Sequence, residues 1–293
     1  MKRNESFSAD DARRRRKEKA IRIGAHMRIG IAGIGAIGSA VAHALDRSEI
    51  SGCELVAISA RSQERAAEFN ATLKKAIPCV SFEELATKCD AVLEALPPQL
   101  FNAIALPVLG AGKVLIAMSV SQLLGREDLV ELARRTGGRI VIPSGAILGL
   151  DAIKAVAVGE IYEVKVRTRK PPRSLATAPC VVRNGLELEN LTEAVCILRG
   201  TVTEVAKEFP ANVNVAAALS LAGLGADRTR MEIWADPSLV FNTHTVEVKS
   251  DSSDFSMSIQ NRPSNENPGT GRITSQSVIA FLRQMGSVLL IGT

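Results

Sequence analysis

Between residues 27 and 143, short apolar runs alternate with stretches in which apolar residues recur every three or four positions. The run 27–31 has the length of a buried strand, whereas 36–45 sets Ile37, Val41, Ala44 and Leu45 on one helical face. The same reading predicts a strand over 54–62, a helix near 63–73, a short strand at 78–82 and a buried strand at 91–96. Pro97 and Pro98 then end that strand and start a helix through 109. Strands at 113–120 and 139–142 flank a helix at 127–135. Strand and helix in strict alternation are the signature of a doubly wound parallel sheet.

Beyond residue 143 the pattern changes. Runs at 162–168, 202–209, 229–235, 245–249 and 254–260 read as strands with few helices between them, which predicts a mostly antiparallel sheet. One alanine-rich helix interrupts them at 213–224, with Gly225 as its expected C-cap. The stretch 273–290 reads as an amphipathic helix, with Val278, Leu282, Met285 and Leu289 on one face. Residues 261–269, rich in Asn, Pro and Gly, form a loop and a hinge back to the first domain. The expected class is therefore α/β, with domains at 27–143 plus 268–293 and at 144–267, the second an α+β domain on the mostly antiparallel sheet.

Chemistry enters at the end of the first strand, where residues 30–38 read GIAGIGAIG. In a G-x-G-x-x-G turn, Gly33 allows the tight reversal, Gly35 lets backbone approach a pyrophosphate, and Gly38 lets helix and strand pack closely. The phosphates then meet free N–H groups at the start of the helix, with Ala36 and Ile37 in its first turn. Set between a strand and a helix, this motif predicts a Rossmann dinucleotide site. Ligands in such sheets lie beyond the carboxyl ends of the strands, which nominates Leu96 and Pro97, Ser119, and the segment 143–146.

The second strand ends without the carboxylate that an NAD-preferring site offers to the ribose 2′-hydroxyl. Ser59, Arg61 and Ser62 stand there instead, a set suited to a 2′-phosphate, so the cofactor is read as NAD or NADP. The bland alternative makes Arg61 a solvated cation, or a guanidinium stacked on adenine.

The chain has 293 residues and a formal charge of +5. Residues 1–26 hold nine Lys/Arg and four Asp/Glu, which leaves 27 of each sign in the rest. The body is neutral, and the basic leader lacks the interleaved aromatics of a nucleic-acid arm and the apolar core of a secretory signal. Residues 24–27 resemble a cloning junction before a natural start at Met27. No apolar run approaches the ~18 residues of a membrane helix. Five scattered cysteines without C-x-x-C spacing fit neither a metal site nor a disulfide framework, and point to a reducing, cytoplasmic setting.

Histidine occurs at 26, 43 and 244 only. His43 falls in the first helix, where helix packing explains it. His244 shares a strand face with Val246 and Val248, so its ring points toward apolar surroundings: either a satisfied core histidine or the acid–base group of the second domain. Asn214, at the start of the alanine-rich helix, is either a cap (a role that Asn212 fills equally well) or a partner of the nicotinamide carboxamide.

The segments IPSGAI (142–147), TRKPP (168–172), FPANVNVA (209–216), IWADP (233–237), NTH (242–244) and NPGTGRIT (267–274), together with the glycine loop, resemble the L-aspartate dehydrogenase family in order and separation. The resemblance extends from Met27 to the C-terminus. It implies NAD(P)-dependent oxidative deamination of L-aspartate through iminoaspartate to oxaloacetate and ammonia, a homodimer, and a supply of iminoaspartate to NAD biosynthesis. It also implies His244 as the active-site residue, with Ala146 and Asn214 at the cofactor. Two substrate carboxylates call for cations, and Arg169 and Lys170 are the candidates, with two solvated charges before a Pro-Pro turn as the alternative. Competing readings are a hydride-transfer relative of the homoserine dehydrogenase or dihydrodipicolinate reductase type, and a non-catalytic NADP-sensing protein.

Overall fold

In a computed structural model, which describes residues 26–209, 213–264 and 271–292, the first apolar runs pair as a parallel sheet. Strands β1 (Met27–Ala32), β2 (Cys53–Ser59), β3 (Ala91–Glu94), β4 (Val114–Ala117) and β5 (Arg139–Val141) lie in the order β2-β1-β3-β4-β5. The order reverses at β1, so a crevice opens at the carboxyl ends of β1 and β3. Helices α1 (Ala36–Asp46) and α2 (Gln63–Asn70) cover one face of the sheet. Helices α3 (Phe82–Lys88), α4 (Phe101–Gly110) and α5 (Glu127–Thr136) cover the other. Both faces are buried, which is why β3 and β4 read as continuous apolar runs.

Two expectations for this domain change. Residues 78–82 contribute a single bridge, Cys79 to Ile58, and not a strand. The chain turns instead into α3, because Ser81 and Glu84 cap each other's backbone in a complete capping box. The helix expected over 63–73 ends at Asn70, whose side chain binds both the N–H and the carbonyl of Ile77.

The second domain contains α6 (Leu150–Val156), β6 (Ile161–Lys170), α7 (Pro179–Arg183), β7 (Val195–Thr201), α8 (Val202–Glu208), α9 (Asn214–Ala222), β8 (Arg230–Ala235), β9 (Asn242–Ser250) and β10 (Phe255–Asn261). Its sheet runs β10-β9-β6-β8-β7, antiparallel except for the β6–β8 pair. Val164 and Val166 of β6, Val246 and Val248 of β9, and Met231 and Ile233 of β8 meet α6, α8 and α9 in one core. The residues 202–209, read as a strand, form α8. Thr201 and Glu204 make a second capping box, and buried Val202 and Val205 are spaced for a helix. Helix α9 stops at Gly223 and not Gly225, although Gly225 takes a left-handed φ of +83° and donates its N–H to Ser220. Helices α6 and α7 and strand β7 were not anticipated.

The last helix, α10 (Arg272–Met285), returns to the first sheet, where Val278 and Leu282 are fully buried with Ile29, Val41 and Leu45. Each contributes about 2 kcal/mol of apolar burial. The helix is shorter than expected, and Val288 to Ile291 lie exposed beyond it. Val120 packs on Ala217 and Ala218 of α9, joining the two domains beside the crevice. All but His26 of the leader expected over 1–26, the alternative cap Asn212 and most of the expected hinge lie outside the described residues.

Candidate active site

The glycine turn is built as its spacing requires. Gly33 sits at φ +96° against the Ala95 carbonyl, and a Cβ on Gly38 would collide with the Gly33 carbonyl. A Cβ on Gly35 would meet nothing within 4 Å. Helix α1 starts here with no side-chain cap, so its first N–H groups have no side-chain acceptor and suit a pyrophosphate. These features fit a dinucleotide, with Ala36 in the first turn and Ile37 reaching the cleft between the domains.

That cleft holds a cavity of about 190 Å³. The first domain supplies Ile37, Met118 and Val120, the connecting segment Pro143 to Ala146 borders the cavity, and the second domain supplies Lys170, Asn214, Asn242, His244 and Asn261. Thr168 and His244 are register partners on β6 and β9, and the Thr168 hydroxyl lies 3.0 Å from His244 Nδ1. This engages one ring nitrogen and leaves Nε2 for chemistry. His244 is only 5% exposed. Burial, with the positive charge of Lys170 beside it, lowers its pKa to about 4, so the ring is neutral at physiological pH. Lys170 lies two residues after Thr168 on the same face of β6, and burial lowers its pKa to about 8.

Arg169 does not join Lys170 there, which corrects its candidacy as a substrate cation. Neighbouring residues on a strand point to opposite faces, and Arg169 pairs with Asp236 on the far side, alongside the Arg167–Glu232 pair. Two cofactor candidates also have local partners. The Ser119 hydroxyl donates to Glu94 at 2.9 Å, and the Ser62 hydroxyl caps α2 by accepting from the Arg65 N–H. Leu96 and Pro97 follow β3 at the crevice but do not line the cavity, and exposed Arg61 has no hydrogen bond or ion pair among the described residues. His43 is a packing residue, bonded to Thr72 and edge-on to Phe69.

Asn214 accepts a hydrogen bond from the Ser121 N–H at 3.0 Å, across the domain boundary. Its amide oxygen is engaged there, and its amide nitrogen is available to bind a ligand. Ala146 is held by Asn261, whose amide donates to its carbonyl at 2.9 Å, and the Gly145 N–H donates to Ser277 of α10. Thr168, Asn261 and Glu94 escaped the sequence reading. Only Glu94 left a signal there, as a lone acid in an apolar strand.

A glycine-turned, uncapped helix opposite a buried His–Lys pair defines a two-domain, dinucleotide-dependent oxidoreductase. Residues 33–143 match the family described as the NAD binding domain of homoserine dehydrogenase, and residues 151–285 match the C-terminal domain of aspartate dehydrogenase. An L-aspartate dehydrogenase of Bordetella bronchiseptica is 47% identical over 90% of this chain and 97% of its own length. One from Bradyrhizobium diazoefficiens is 46% identical over 91% and 94%. The crystal structure of aspartate dehydrogenase from Thermotoga maritima superposes with a TM-score of 0.71 at 25% identity, covering 91% of this chain and all of that one. The chain belongs to the aspartate dehydrogenase family. No helix among the described residues is long and apolar enough to cross a membrane.

Proposed function

We propose that the protein is an NAD(P)-dependent L-aspartate dehydrogenase, interconverting L-aspartate and water with oxaloacetate and ammonium through iminoaspartate. The observation that carries this is the buried pair of His244 and Lys170 in one cavity, which the glycine turn borders through Ile37. A bound dinucleotide would supply the hydride acceptor for the aspartate Cα–H in one direction and the hydride donor to the imine in the other.

Lys170 binds a substrate carboxylate. It lines the cavity and its charge is present below about pH 8, so an anionic ligand is favoured beside it. His244 is neutral and serves as the base that takes a proton from water attacking the imine carbon, then returns it to the departing amine. Thr168 fixes the ring's orientation through Nδ1. Asn214 offers its amide N–H to the nicotinamide carboxamide, and Ala146, fixed by Asn261, forms the wall beside it. Arg61, just past the end of β2 and without a hydrogen bond or ion pair among the described residues, favours a 2′-phosphate and so admits NADP alongside NAD. The enzyme acts in the cytoplasm as a homodimer.

Reductive amination of oxaloacetate with ammonia, followed separately with NADH and NADPH, tests this reading. Turnover is expected with at least one cofactor, and the same protein supplied with homoserine and NAD(P)+ is expected to be inactive. Turnover of homoserine without oxaloacetate amination would replace the reading with the homoserine-type alternative.

A further inference from the structure

Glu94 closes β3, opposite Ala32 of β1 on one side and Ala117 of β4 on the other, and has no exposed surface. No cation pairs with it among the described residues. Instead, Oε1 accepts from the Leu96 N–H at 3.0 Å and the Ser119 hydroxyl at 2.9 Å. Oε2 accepts from the N–H groups of Met118 at 3.1 Å and Ser119 at 2.9 Å. Four donors converging on two oxygens suit an ionised carboxylate, which only accepts.

The segments it gathers are those that meet the ligand. The Ala95 carbonyl, in the same peptide group as the Leu96 N–H, is the group against which Gly33 turns. Met118 and Val120 form the wall of the cavity, and Ser121 next to them donates to Asn214 of the second domain. A single buried carboxylate therefore ties the ends of β3 and β4 together, between the glycine turn and the residue offered to the nicotinamide.

We propose that Glu94 is a positioning residue for the dinucleotide: it holds the two strand-end segments in the geometry that the cofactor's nicotinamide half requires, with Ser119 acting through it. This rests on the dinucleotide-binding role of the first domain and is independent of which amino acid is oxidised. Glutamine has the shape of glutamate but places an NH2 group where two donors already point, leaving buried N–H groups unmade whichever way the amide is turned.

The test is the Kd for NADH and NADPH, read by cofactor fluorescence on the full chain well below the unfolding temperature. Glu94→Gln is expected to weaken binding about tenfold, and Ser119→Ala about threefold, the range for lost buried hydrogen bonds. The double variant is expected to bind no more weakly than Glu94→Gln alone, since Ser119 has nothing left to act through. A folded Glu94→Gln protein with a lowered melting temperature but a Kd within twofold of the parent would reduce Glu94 to a folding role and overturn the proposal. Strict additivity in the double variant would overturn the coupling. If Glu94→Gln does not fold, Ser119→Ala decides alone: a threefold loss at an unchanged melting temperature supports the proposal, and an unchanged Kd overturns it. Absence of oxaloacetate amination in the parent protein would contradict the proposed reaction and leave this binding measurement intact.

Discussion

The hydroxyl of Thr168 stands 3.0 Å from Nδ1 of His244 across an antiparallel strand pair, and both side chains are buried. Thr168→Val keeps the volume and branching of the side chain and removes its only hydrogen-bonding group. Steady-state assays are expected to show kcat lowered by about 10- to 100-fold, the scale of a misaligned acid–base group, with cofactor KM unchanged within twofold.

Asn214 serves two purposes, and they can be separated. Asn214→Asp keeps the oxygen that accepts from Ser121 N–H but loses the donor; Asn214→Ala loses both. Both are expected to weaken NADH binding. Thermal unfolding is expected to place the Asp variant about 1 kcal/mol above the Ala variant, since only the latter leaves Ser121 without its side-chain acceptor.

Lys170 and His244 carry lowered pKa values for the same reason, burial, with opposite consequences for their charge at neutral pH. Protonated Lys170 binds a dicarboxylate, so succinate inhibition should be strongest below pH 8 and weaken above it, by at most tenfold per unit for one proton. Lys170→Met should bind succinate weakly at every pH, without that limb. For His244, the unfolded ring takes up a proton near pH 6.5, whereas the folded ring resists until about 4. Stability should therefore fall as pH drops through this window, and His244→Gln should flatten the fall, as read by urea unfolding at pH 4.5 and 7.

The C-terminal helix holds to the first sheet through buried side chains, and the tail beyond it does not. Leu282→Ala, at a fully buried position, should cost about 3 kcal/mol in urea unfolding, whereas Leu289→Ala, 68% exposed, should stay within about 0.5 kcal/mol.

The parallel sheet was legible because each strand carries its own apolar run and the glycine turn marks where the order reverses. The second sheet was harder. Its strands alternate, so β7, half-buried along its length, gave no contrast, and Val202–Glu208 looked like a strand until its cap is considered. His244 could be singled out because its strand periodicity turns it inward, but its partner Thr168 lies 76 positions away and only the register of β6 on β9 brings them together. Arg169 and Lys170 were inseparable while the phase of β6 was unassigned. Ser62 and Ser119 have the right chemistry for a ligand, and each also serves a local partner, the Arg65 N–H and the Glu94 carboxylate.

The central claim is that His244 does chemistry on the substrate and does not hold the cofactor. Single-turnover reductive amination by His244→Ala, measured beside its NADH and NADPH affinity, tests it most directly. Turnover is expected to fall at least about 1,000-fold, the upper part of the range for general acid–base catalysis, with cofactor Kd within twofold of the parent. Turnover within threefold of the parent, or a loss of activity matched by an equal loss of cofactor affinity, would contradict it.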